Sequence, residues 1–307
     1  MLISHKWLKK YIPDLDELSK AQIAETLSLK LAEVERIIPI RQELKGIVSG
    51  EIMEVERIEG NDKLSKCKVK ISDNEISDII CGAPNVKKDL KVAVCLPGGN
   101  IYDPGNREVK EITSKSVHGI TSNGMICSEK ELGISDEHEG IMELETEMPI
   151  GTDLLPILRD SVYEIENKSL GHRPDCFSHE GIAREICAIL NLNFNKETQE
   201  QPLIPSLILP LEVMIKAPED QCIRFATIIL SDIKVHYSPL WLKALLASTG
   251  IRSVNNVVDS ANYIMLDKGQ PLHTYDYDKI TSNKLIIRMG KNNEVINAID
   301  GKEYKIN

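Results

Sequence analysis

Aromatic residues are scarce in this 307-residue chain, with 3 Phe, 2 Trp and 8 Tyr, 4% in all. Between positions 40 and 151 the only one is Tyr102. A surface that grips single-stranded nucleic acid by stacking wants several aromatic faces and a basic groove. Over residues 46–150 acidic residues outnumber basic ones, and the whole chain has a formal charge of −10. Bulk electrostatics therefore gives no basis for nonspecific capture of DNA or RNA, so any RNA contact must come from local chemistry. Seven cysteines form no CxxC pair and are odd in number, which argues for reduced thiols and a cytoplasmic chain. The opening MLISHKWLKKY has no apolar signal-like core. LIPSLILPL, the most apolar later run, is broken by two prolines and falls far short of the roughly 20 residues of a membrane span. No Walker loop, dinucleotide fingerprint, HExxH or GxSxG occurs, which counts against a self-contained enzyme.

Short strand patterns fill the stretch from about Lys45 to residue 145: GEIMEVERI, KCKVKIS, SDIICGA, KVAVCLPGG, GMICS and GIMELE. Their turn-rich spacing suggests a small barrel. Alternation in KCKVKIS puts Cys67, Val69 and Ile71 on one face and Lys66, Lys68 and Lys70 on the other. With Lys63, these lysines make a candidate phosphate-facing ribbon, the alternative being a solvated strand face. Helical signals flank this region. Ser19 and Gln22 have capping-box spacing ahead of Ile23, Leu27, Leu31 and Val34. Ser178 can cap a helix carrying Ile182, Ile186, Ile189 and Leu190. Ser238 then Pro239 reads as a cap and first-turn proline before Leu242, Leu245 and Leu246, with Gly250 as the stop. QEQPLIPSLILPLE reads as a linker, and KLIIRMG and EVINAIDGKEYKI as strands, the latter turning at Asp300-Gly301. So short a remainder after a hairpin suggests a domain that continues past residue 307. His172, Cys176 and His179 offer only three metal ligands, an incomplete zinc set, so no metal centre is assigned.

Two groups of segments carry a family resemblance. DKLSKCKVKI, IICGAPNV, VAVCLPGG and SNGMICSEKELGI resemble the tRNA-binding OB module shared by several tRNA-binding proteins. Around them, SHKWLKKYIPDL, HRPDCFSHEGIAREICAIL and SPLWLKALLASTGIRSVNNVVDSANYIMLDKGQPLHTYD are similar in order and spacing to the bacterial phenylalanyl-tRNA synthetase beta subunit. Departures from the family pattern are Ile58-Glu59 for His-Pro, His118 for an arginine and His172 for an asparagine.

The resemblance implies an α+β multidomain chain. A small α/β N-terminal domain (1–39 with 152–195) would hold an inserted OB-fold β-barrel (40–151), followed by part of an α+β editing domain (205–307). It implies a ligase subunit of class II that pairs with an alpha subunit as an (αβ)2 heterotetramer charging tRNA(Phe). ATP and Mg2+ would serve the assembly, with no cofactor and no ligation residue on this stretch. His273 and Asn262 fall at positions of the pocket that hydrolyses Tyr-tRNA(Phe), with Asn256, Gln270 and Arg252 nearby. Asn85, Ser122 and Ser128 join the four lysines as candidate tRNA contacts. Polar groups among apolar ones suit such a second sieve, because an apolar pocket rejects an added hydroxyl only weakly. The alternative is a free-standing tRNA-binding or chaperone-like module.

Overall fold

A computed structural model describes residues 1–196, 210–298 and 301–306, which fall into two compact units, 1–197 with 235–272 and 198–234 with 273–307. The first unit opens with β1 (Leu2–Ser4), α1 (His5–Leu8), α2 (Lys20–Lys30) and β2 (Val34–Ile40). The strand-rich region follows: β3 (Lys45–Ile58), β4 (Asn61–Ser72), β5 (Glu75–Cys81), β6 (Lys91–Tyr102), β7 (Val109–Glu111), β8 (Lys115–Val117), β9 (Ile120–Ser122) and β10 (Met125–Ile126). After it come α3 (Leu155–Leu158), β11 (Asp160–Ile165), α4 (His179–Leu190), α5 (Leu240–Ser248) and α6 (Asn256–Lys268). The result is a mixed α/β architecture with several sheets.

β11 lies between β1 and β2 in an antiparallel sheet, pairing Val162 with both Ser4 and Ile38. Everything between β2 and β11 is thus an excursion from this sheet. Trp7, Leu8, Ile23, Leu27, Tyr163, Ile182 and Ile186 form its core. The expected capping box is present at Ser19 and Gln22, but α2 stops at Lys30. Leu31 and Val34 lie beyond the helix and still pack on the same core, so their spacing imitated a longer helical face.

The larger sheet has the order β10-β6-β3-β4-β5, with β7 beside β6. Among the described residues this ladder does not close into the expected barrel. β5 and β10 stand at opposite ends, and a backbone bond from Asn123 N–H to Asp78 O links the turn before β10 to β5. Both faces of the sheet are covered at β6. Val92 and Val94 join Ile52, Val69 and Ile79, while Ala93 and Cys95 join Leu44, Ile47 and Leu132. That two-sided burial explains its unbroken apolar run. GIMELE forms no named strand and contributes an isolated bridge, Val92 to Glu143.

In the second unit, β12 (Glu212–Ile215) pairs in parallel with β13 (Lys284–Ile287), and β14 (Val295–Asn297) pairs antiparallel with β15 (Glu303–Lys305). The expected turn residue Asp300, and the expected linker up to residue 209, lie outside the described residues.

Candidate functional site

On β4 the alternation is as expected, with Cys67, Val69 and Ile71 buried and Lys66, Lys68 and Lys70 half-buried. Neighbouring strands supply a carboxylate to Lys66 and to Lys68, and the turn after β4 supplies one to Lys70. Lys66 pairs with Asp78 at 3.0 Å, Lys68 with Glu54 at 2.7 Å and Lys70 with Asp73 at 3.7 Å. The hydrogen bond from Lys68 holds Glu54 below its usual carboxylate range, and Glu54 in return raises the lysine. This face is therefore zwitterionic rather than basic. Lys63 is exposed beside the Asn61 turn, whose Oδ1 accepts from the Lys63 and Leu64 N–H groups.

The other candidate contacts of the strand-rich region are engaged internally. Asn85 clips residue 141, its Nδ2 donating to Ile141 O at 3.0 Å and its Oδ1 accepting from Ile141 N–H at 2.9 Å. Ser122 Oγ accepts from Ile80 N–H. Ser128 is buried in a turn with Glu131, and its Oγ lies 3.1 Å from His138 Nδ1. Unforeseen from sequence, a cavity of about 530 Å3 is lined by Glu56, Arg57, Ile58, Glu59, Lys66, His118 and Ile120. Ile58, Glu59 and His118, three of the departures noted above, share this one groove.

In the first unit, α6 carries two of the candidate editing residues, Asn256 and Asn262, with Arg252 before it and Gln270 after it. Asn255 caps α6, its Oδ1 accepting from Val257 and Val258 N–H. Asn256 ties the helix start to the run before α5, its Oδ1 accepting from His236 N–H and its N–H donating to His236 O. Ser238, expected to cap α5, instead donates to the buried Asp259 at 2.5 Å, and Pro239 takes the cap position. Ser253 Oγ and Val254 N–H also donate to Asp259. Arg252 and Gln270 are exposed and Asn262 is half-buried on α6. His273 belongs to the second unit, where its ring lies 5.3 Å from that of Tyr275.

His172 is exposed, whereas Cys176 and His179 are buried. His179 Nε2 accepts from Ser4 N–H at 3.0 Å and Nδ1 donates to Leu266 O at 2.9 Å, so neither nitrogen is open to a metal. Burial pushes this imidazole down to about 4. Beside it, the buried Asp267 accepts from Trp7 Nε1 and Tyr11 Oη, each at 2.7 Å. Burial alone would raise this carboxyl, but those donors and Lys10 bring it below the usual range.

Two family models match the chain, the one described as "Putative tRNA binding domain" over residues 47–153 and the B3/4 domain over 221–307. Over all 307 residues the chain is 37% identical to the phenylalanine–tRNA ligase beta subunit of Desulfotalea psychrophila. By sequence it is similar throughout to phenylalanine–tRNA ligase beta subunits. The beta subunit of Geobacillus kaustophilus is 38% identical over 100% of this chain, and that of Protochlamydia amoebophila 38% over 99%. The chain spans 36%, 38% and 37% of these three beta subunits. A solved MetRS related protein from Pyrococcus horikoshii aligns at 19% identity over 36% of this chain and 87% of its own, with a TM-score of 0.26, too low to bear on the fold. The stretch matched by the B3/4 domain contains α5, α6 and β13 to β15, and so spans residues of both units. Among the described residues no helix is long and apolar enough to cross a membrane.

Proposed function

We propose that the chain acts within a cytoplasmic phenylalanyl-tRNA ligase of class II, an (αβ)2 assembly that charges tRNA(Phe) with phenylalanine using ATP and Mg2+. In this reading residues 40–151 are an OB-type tRNA-binding domain inserted in the N-terminal α/β domain (1–39 with 152–195). Residues 205–307 furnish one wall of a site that hydrolyses Tyr-tRNA(Phe). The carrying observation is identity of 37% sustained over the entire chain, together with the two domain matches.

Within that wall, apolar side chains take the aromatic ring while Asn262, Gln270 and Arg252 position the RNA terminus and His273 orients or activates water. Asn256 supports them from its bonds to His236. Lys63 and the β4 lysines meet the tRNA backbone, exchanging carboxylate partners for phosphates. Asn85, Ser122 and Ser128 act at one remove, by shaping the turns they stitch. ATP and Mg2+ belong to the ligation chemistry, which this stretch does not carry.

Deacylation of Tyr-tRNA(Phe) by the full assembly tests the editing role. His273→Ala is expected to slow it at least tenfold while leaving phenylalanine charging intact, and unchanged deacylation removes that histidine from the mechanism. The chain alone is expected to show no phenylalanine-dependent pyrophosphate exchange. Detectable exchange would contradict this assignment.

A further inference from the structure

The β3–β4 and β8–β9 hairpins each close in a two-residue turn, since Ile58 pairs with Asn61 and Val117 with Ile120. The second turn is His118-Gly119, with φ of +50° and +77°. Both central residues of such a turn need the left-handed region, which glycine and asparagine enter most readily. Histidine there carries backbone strain, and its ring reaches the other hairpin, with Nε2 3.3 Å from Asn61 Nδ2. Asn61 Oδ1 already accepts from Lys63 and Leu64 N–H, so the amide turns its NH2 group to the ring. Nε2 is then the acceptor, and the imidazole is neutral with its proton on Nδ1. This clip fixes a ring at the cavity of about 530 Å3 that residues of both hairpins line.

The charged groups lining that cavity differ in what they have left to offer. Lys66 is engaged with Asp78 at 3.0 Å. Arg57 Nη1 donates to Asp62 O at 3.1 Å, which leaves Nε and Nη2 open. Glu56 stands opposite Lys66 across the β3–β4 ladder. Glu59, in the turn, makes no hydrogen bond or ion pair with the described residues. Ile58 and Ile120 add apolar lining. The cavity therefore combines a carboxylate with both oxygens open, a guanidinium with open N–H groups and a fixed neutral ring.

We propose that this cavity takes an unpaired guanine of RNA, with Glu59 accepting from its N1–H and 2-amino groups, Arg57 donating to O6 and His118 stacking on the base. The inference rests on the tRNA-binding reading above and adds a base preference to it. Guanine sets two donors side by side on its Watson–Crick edge, matching the two oxygens of a carboxylate, and arginine is the common donor to its O6. Adenine and cytosine carry a ring-nitrogen acceptor next to their amine, and uracil flanks its N–H with two carbonyls, so each would set an acceptor against Glu59. A phosphate would meet that carboxylate with like charge. A lysine or arginine side chain of a protein would satisfy Glu59 but bring no acceptor for Arg57. Imidazole is a stacking face, and between residues 40 and 151 the only Phe, Tyr or Trp is Tyr102.

The test titrates fluorescent uridine heptamers carrying guanine, inosine or adenine at the centre with the full chain, read by anisotropy. The guanine strand is expected to bind about tenfold more tightly than the adenine strand, and more tightly than the inosine strand, which lacks only the 2-amino donor. In Glu59→Gln the guanine-to-adenine ratio should fall to about one. Glu56→Gln removes the same charge from the same cavity and should keep the preference, which separates base reading from relief of repulsion. His118→Asn, which suits the left-handed turn, should weaken all three strands alike. Glu56, Glu59 and His118 are exposed, and unchanged thermal midpoints verify that the variants fold. Equal binding or no binding of the three strands by the wild type, while a tRNA(Phe) transcript still binds, overturns the site and leaves the reading above intact. A guanine preference that persists in Glu59→Gln also overturns it. Failure of the transcript and of every strand to bind overturns both the site and the reading beneath it.

Discussion

A methyl group at residue 181 shows how tightly the turn before α4 is closed. A Cβ built there would lie 1.7 Å from Asp175 O and 2.9 Å from Ser178 Oγ, the atom that caps the helix. Gly181→Ala must therefore open the turn or lose the cap, and overpacking of this kind costs typically 1–3 kcal/mol. A lowered denaturation midpoint with an unchanged m-value is the expected result. His179, two residues earlier, makes stability depend on pH. Its unfolded imidazole titrates near 6.5 and the folded one at about 4, so between these values the unfolded chain holds the extra proton. Stability is full above about 6.5 and falls as pH drops toward about 4. Asp267, whose folded carboxyl is also depressed, adds a further loss as pH falls below the usual carboxylate range. Thermal midpoints across this window should show the decline, and His179→Gln should flatten its upper part.

At the scale of elements, α5 and β4 give contrasting ion pairs. Lys243 and Glu129 are 5% and 17% exposed, and removing one partner leaves the other charge poorly solvated. Lys243→Met is expected to cost about 3 kcal/mol, with much of that loss recovered in the double variant Lys243→Met, Glu129→Gln. Lys68 and Glu54 are 41% and 54% exposed, so Lys68→Gln should leave stability nearly unchanged. Equilibrium denaturation separates the two cases. The caps of α2 and α4 were legible because Ser19 with Gln22, and Ser178 with Gly181, bond across three residues. The partners of Lys66 and Lys68 were not, since they depend on cross-strand register and on the bulge between Ile52 and Glu54. Ser238 looked like a cap by the same local logic, but a buried carboxylate 21 residues later competes for its hydroxyl.

For the whole molecule, α5 and α6 behave as part of the first unit even though the B3/4 match covers them. Arg41 contributes to this, its guanidinium reaching Leu158 O on one side and Ala244 O and Ser248 Oγ on the other. Burial lowers this arginine to about 10, still charged at neutral pH. Arg41→Met should loosen α5 more than α2, which hydrogen exchange resolved by segment can measure. Lys10 and Trp7 meet Asp267 across more than 250 residues of sequence, a separation at which no local pattern announces a contact.

The sequence by itself determined the order of elements, the buried face of β4, two helix caps and the resemblance to beta subunits, because each is written in spacings of two to four residues or in motif order. Only the tertiary structure decided that the β4 lysines face carboxylates, which strands neighbour one another in the larger sheet and that His179 is locked neutral. Those outcomes turn on strand register, burial and donors supplied from distant segments. Their energies exist only once the chain has closed upon itself.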